Sequence, residues 1–118
     1  MRDPSQDLRA KILGRRGENA VCRYLKREGY RILERNYKTP FGEADIVALR
    51  GGIYAFVEVK TRSSDEYGSP GEGVTAAKRK RYRAIAQYYC LSKGEELPVR
   101  FDVAALTEEG LEYIENAF

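Results

Sequence analysis

Apolar and polar positions alternate along several short stretches of the chain and recur at helical spacing along two longer ones. Residues 31–37 (RILERNY), 44–50 (ADIVALR) and 53–60 (IYAFVEVK) read as strands. Thr39-Pro40-Phe41-Gly42 reads as a turn, and Gly51-Gly52 splits the second and third strands. A Gly-Gly dipeptide between apolar runs signals a two-residue hairpin. A first helix, capped by Ser5 or Asp7, is expected to run to Gly29. A second starts at a Thr75 cap and ends near Ser92-Lys93-Gly94. Residues 98–105 (PVRFDVAA) form a further strand, and 111–115 a short last one. The order α-β-β-β-α-β-(β) predicts one α/β domain over residues 1–118, a mixed central sheet flanked by helices.

The hairpin carries a geometric expectation. A two-residue turn at Gly51-Gly52 pairs Arg50 with Ile53, Leu49 with Tyr54 and Val47 with Phe56. The same register sets Asp45 opposite Glu58 and Glu43 opposite Lys60. Side chains alternate across a strand, so these four share one face. Directly opposed carboxylates repel each other, and a divalent cation between them turns repulsion into coordination. Lys60, two residues beyond Glu58, can orient a water or offset charge on a phosphate. Such a set suits metal-assisted phosphodiester hydrolysis, with Asp45 and Glu58 as metal ligands. The plainer alternative is a strand end with solvated cross-strand ion pairs, which contribute little.

The helical wheel of the first helix adds a third acid. Gly14, Val21, Cys22 and Leu25 surround Glu18 on the less polar arc, while Arg9, Arg16, Arg23 and Arg27 lie opposite. An acid aimed at the core side is expensive without a partner, so Glu18 is a candidate metal ligand or the partner of an inward cation. Gly14 and Gly17 each weaken a helix by about 1 kcal/mol. Close approach of a strand or a ligand would account for them.

Composition narrows the chemistry. The chain has no histidine and two cysteines, Cys22 and Cys90. Ser-His-Asp triads, Cys-His dyads and imidazole-ligated zinc are therefore excluded, and two thiols cannot complete a structural zinc site. The cysteines lack any framework spacing and are expected to be reduced, in a cytoplasmic protein without a secretory signal or membrane span. Net charge is +3, unevenly spread: residues 1–94 carry +9 and residues 95–118 carry −6. A basic body suggests a polyanionic partner.

Lys78-Arg79-Lys80-Arg81-Tyr82-Arg83 starts the second helix. Lys78, Tyr82, Ile85 and Tyr89 share its inward stripe, so Lys78 can reach the acids, while Arg79, Lys80 and Arg83 can grip phosphates. A solvated basic face is the alternative. Residues 61–74, polar and rich in Gly and Pro, read as a mobile loop that can close over nucleic acid or simply lie at the surface.

These residues resemble the YraN family of small bacterial proteins, in the restriction-endonuclease-like superfamily near the archaeal Holliday-junction resolvases. The resemblance runs through Gly14-Arg15-Arg16-Gly17-Glu18, Arg35-Asn36-Tyr37, Phe41-Gly42-Glu43-Ala44-Asp45-Ile46, Phe56-Val57-Glu58-Val59-Lys60-Thr61-Arg62-Ser63 and Arg100-Phe101-Asp102-Val103 to Ile114-Glu115-Asn116-Ala117-Phe118. It implies a restriction-endonuclease-like sheet and a Mg²⁺ or Mn²⁺ site. Glu18 matches the helix acid of the resolvase-like branch, Asp45 the metal-bridging acid, and Glu58 with Lys60 the E-x-K pair. Ala44 stands where the wider superfamily often has Pro.

The expected function is endonucleolytic cleavage of DNA, with branched or recombination intermediates among the substrates. Glu18, Asp45, Glu58 and Lys60 would be catalytic, and Arg62, Lys78, Arg79, Lys80 and Arg83 would bind nucleic acid. Resolvases act as dimers, so the resemblance makes a homodimer plausible. The rivals are a non-catalytic nucleic-acid-binding module and an interaction protein docking a basic partner through Glu108, Glu109, Glu112 and Glu115.

Overall fold

The computed structural model describes residues 4–61 and 75–118, with side chains from residue 14 onward. Its elements are α1 (Pro4–Arg27), β1 (Arg31–Thr39), β2 (Gly42–Arg50), β3 (Ile53–Thr61), α2 (Ala76–Lys93), β4 (Val99–Thr107) and β5 (Gly110–Ile114). Helix α1 already includes Ser5 and Asp7, so neither caps it. Pro4 lies in the first described turn, where a ring-fixed φ is favourable and a missing N–H costs nothing. At the other end Gly29 takes a φ of +88° and the Tyr30 amide donates back to the Leu25 carbonyl, closing the helix where the sequence places its stop. Helix α2 follows its expected caps. The Thr75 side chain accepts from the Lys78 amide at 3.1 Å, and Gly94 sits at φ +75°.

The sheet order is β1-β2-β3-β4-β5. Neighbours pair antiparallel except β3 and β4, which are parallel. A parallel pair needs a crossover, and α2 lies within it. The mixed α/β architecture, with two helices among the described residues, is compatible with a restriction-endonuclease-like fold.

Each face of the sheet buries a separate core. Val21, Cys22 and Leu25 of α1 pack with Tyr30 against Ile46, Ala48, Ala55, Val57 and Ala104. Tyr82, Ile85, Ala86 and Tyr89 of α2 pack against Ala44, Val47 and Phe56. Tyr89 meets Tyr37, Tyr54 and Phe56 with ring centroids 5.5, 5.8 and 5.6 Å away. Gly17 lets α1 come close: a Cβ there would stand 2.9 Å from Leu106 Cδ1. Gly14 has no such packing reason, since no described atom lies within 4 Å of a Cβ built there.

Below the α1 face, Asp102 is wholly buried and fully used. It accepts from Arg100 Nε and Nη2, from the Tyr113 hydroxyl at 2.5 Å and from the Asn116 amide at 2.9 Å. Both cysteines are free thiols. No described helix is long and apolar enough to cross a membrane.

Candidate active site

The hairpin register holds only as far as the site. Ladder pairs run from Arg50↔Ile53 through Val47↔Phe56 to Ile46↔Val57 and end there. Asp45 with Glu58 and Glu43 with Lys60 are therefore not ladder pairs. Instead Asp45 Oδ2 accepts the Val59 backbone N–H at 2.8 Å. A carboxylate has taken the place of a ladder carbonyl, and the antiparallel pairing stops. Charge favours the exchange. Two opposed carboxylates repel, and an N–H donor relieves one of them at the cost of a ladder bond. Across β1, Asn36 adopts φ +52° between the Arg35↔Ile46 and Tyr37↔Ala44 pairs, so the backbone is irregular on both sides of Asp45. The core contacts slip at the same place: Ala44 packs with the α2 cluster, whereas Ile46 packs with the α1 cluster.

Asp45 is held in a setting that resists ionisation. Burial raises its pKa from 3.8 to about 6; the Val59 N–H opposes the rise, and Glu18, Glu58 and Glu43 add to it. Three further carboxyls thus act on this one. Among the described residues, no three Asp, Glu or Cys side chains close on a single point as a finished metal cage.

Glu58 lies on β3 beside Val103 of β4 and is only 9% exposed. Lys78 of α2 pairs its ammonium with Oε1. Oε2 is buried and has no hydrogen-bond partner among the described residues. An ionised oxygen left so is costly, and such an atom calls for a cation or a donor from outside. Lys60 stands two residues on, half-buried, beside Ala105. Sharing the strand's alternation with Glu58, it projects toward the same α2 side.

Glu18 reaches the site from α1, its approach allowed by Gly17. Its Oε2 accepts from Asn36 Nδ2 at 3.2 Å and lies 3.8 Å from Nη2 of the exposed Arg35, so its cation partner is a surface arginine and not an inward one. Arg35 also donates to Asn19 Oδ1 at 2.6 Å. The acids therefore approach the broken ladder from both faces, Glu18 from α1 and Glu58 from the α2 side.

The chain belongs to the UPF0102 family. The model of that uncharacterised protein family matches residues 17–106. A UPF0102 protein of Thermodesulfovibrio yellowstonii is 45% identical over 106 residues, covering 90% of this chain and 95% of its own. One from Alkaliphilus metalliredigens is 46% identical over 113 residues, covering 92% and 99%. UPF0102 is the YraN family of the sequence reading, within the restriction-endonuclease-like superfamily.

Arg79, Lys80 and Arg83 are exposed on α2, and Lys78 turns inward with Tyr82, Ile85 and Tyr89. Thr61 ends β3; Arg62 and the rest of the expected loop lie outside the described residues. The sequence reading gave no role to several groups around Asp45. One is the Val59 amide, another Asn36, and a third Tyr82, whose hydroxyl is pushed far up by burial and by the carboxylates of Asp45 and Glu58. The Arg35-Asn36-Tyr37 run was the available signal for Asn36, a residue type that tolerates positive φ.

Proposed function

We propose that this UPF0102 protein is a metal-dependent endonuclease that hydrolyses phosphodiester bonds in DNA, branched or recombination intermediates among them, and that it works in the cytoplasm. The observation that carries the reading is Glu58: a buried carboxylate with one oxygen on Lys78 and the other without a partner among the described residues. Beside it Asp45 carries a raised proton affinity among acids. A structural ion pair has no need of the second and third carboxyls.

The donor set is all oxygen, which suits a hard cation, Mg²⁺ or Mn²⁺. Asp45 and Glu58 would hold it, and Glu18 would serve as a further or outer ligand. Such an ion, when bound, supplies a water of lowered pKa and polarises a phosphate. The chain's own groups do the rest. Lys60 orients the attacking water and offsets charge on the phosphate. Lys78 balances the charge of Glu58 and, were that carboxylate shared with the metal, its ammonium would be free to meet a phosphate oxygen. Arg79, Lys80 and Arg83 extend the positive surface along α2, with Arg62 in the segment that follows β3. A homodimer, as in the resolvases, would present two such sites to one substrate.

The test is cleavage of labelled single strands, duplexes, flaps and four-way junctions with Mg²⁺ or Mn²⁺, comparing wild type with Glu58→Gln and Lys60→Ala. The expected result is metal-dependent cleavage that falls by at least 10²-fold in both variants. Salt-sensitive binding without cleavage of any substrate, unchanged in both variants, would overturn the reading and favour a binding module.

A further inference from the structure

A groove of about 840 Å³ opens beside the acids on the α1 side of the sheet. Gly14, Arg15 and Asn19 of α1 and Arg35, Asn36 and Lys38 of β1 line it. Glu18 and Glu43 line it too, and both press on the Asp45 carboxyl, so the groove leads to the broken ladder. Of the cations assigned to nucleic acid from the sequence, Lys78, Arg79, Lys80 and Arg83 lie on α2, on the other face. This second surface was absent from that reading.

Three features define what the groove fits. Its charge is positive on balance, with exposed Arg15 and Lys38 and with Arg35 held in place by Asn19 and Glu18. An arginine fixed by its neighbours loses little side-chain freedom when it grips a ligand. Next, the floor is bare at Gly14. Glycine weakens a helix interior, and packing does not demand it here, unlike at Gly17. Any side chain at position 14 would project into the groove. Lastly, none of the described residues that line it is aromatic. Single-stranded nucleic acid is held by stacking its bases on aromatic rings, whereas a duplex stacks its own bases and offers only its backbone.

The geometry points to a binding site for the phosphodiester backbone of a duplex arm, with Arg15, Arg35 and Lys38 on phosphates and bare Gly14 backbone giving close approach. This site deepens the nuclease reading and rests on it for its place beside the acids.

The experiment is a salt titration of binding to a labelled blunt duplex and to a single strand, in EDTA, so that no cleavage enters. Arg15→Gln/Lys38→Gln is expected to weaken duplex binding at least tenfold at low salt. Each phosphate contact adds about 0.9 to the slope of log K against log salt, so the slope should fall by about 1.8. Gly14→Leu separates the site from the fold: its Tm should rise, because leucine favours helix, while its duplex affinity falls. A Gly14→Leu protein that binds duplex as wild type does, or a charge variant with an unchanged slope, would overturn the groove. So would losses confined to the single strand. A wild type that cleaves nothing, with these binding losses still seen in the variants, would leave the groove standing and remove the nuclease.

Discussion

At the scale of single residues, the site is a balance between charge and burial. Asp45 has a folded pKa of about 6 against its usual 3.8, so the folded state holds its proton more tightly. The stabilising contribution of that proton is present below about pH 4 and is lost as pH rises through about 6. With about 1.4 kcal/mol per pKa unit, the loss is on the order of 2–3 kcal/mol. Asp45→Asn keeps an oxygen for the Val59 N–H and removes the titration. In chelator it should match wild type near pH 4 and exceed it in stability near pH 7, as read from urea melts. An unchanged difference across that range would show that Asp45 is not held in this way. Lys78 gives a second prediction. Lys78→Met leaves the buried Glu58 carboxylate without its counter-charge, and the metal-free protein should lose about 2 kcal/mol, less than the ~3–5 for a fully buried pair. If Lys78 shares Glu58 with a cation, the same variant should bind Mn²⁺ more tightly in calorimetry. Weaker binding would mean that Lys78 supports the cation instead of competing with it.

At the scale of elements, the turns and the helical stripes were legible, and the place where the ladder ends was not. Gly51 and Gly52 take φ of +58° and +80°, as a two-residue hairpin turn requires, and that turn sets the register through Ile46↔Val57. Beyond it, regular alternation misleads, because it assumes that every N–H pairs with a carbonyl. Asp45 captures the Val59 N–H instead, a competition between side chain and backbone that no periodicity records. The α2 stripe of Lys78, Tyr82, Ile85 and Tyr89 was legible for the ordinary reason that helical spacing puts those residues on one face. The seat of α2 was less so, since it depends on Gly42. That glycine has a φ of +137°, and a Cβ there would lie 2.6 Å from Arg81 Cδ. Gly42→Ala should therefore cost roughly 1–3 kcal/mol, from backbone strain plus displacement of the Arg81 stem. Thermal melts read the loss, and a variant as stable as wild type would mean that the β1–β2 turn and α2 pack independently.

At the scale of the molecule, the charge asymmetry of the sequence turns out to be partly an internal pairing. Glu115, near the acidic end, lies 3.4 Å from Arg50 and 3.8 Å from Arg100. Arg50 also sits 4.3 Å over the Tyr30 ring. With Asp102 at its centre, this cluster ties the chain after β5 to β2, β4 and the end of α1, which weakens the picture of a free acidic tail docking a partner. The sequence showed Arg100-Phe101-Asp102-Val103 only as part of a resemblance, because a buried acid cannot be told from a catalytic one until its donors are seen. Here every bond to Asp102 is structural, and the strand's alternation turns it to the α1 face, away from Glu58 and Lys60. Asp102→Ala leaves Arg100 mostly buried beside Tyr30 and should cost about 3–5 kcal/mol. Amide exchange should quicken first in β5 and at Asn116, whose N–H loses its acceptor. Removing both charges in Arg100→Met/Asp102→Leu should restore part of the loss, since an apolar pair leaves no buried charge unmatched. A double variant no more stable than the single one would mean that the Tyr113 and Asn116 bonds, not the ion pair, hold the C-terminal strand.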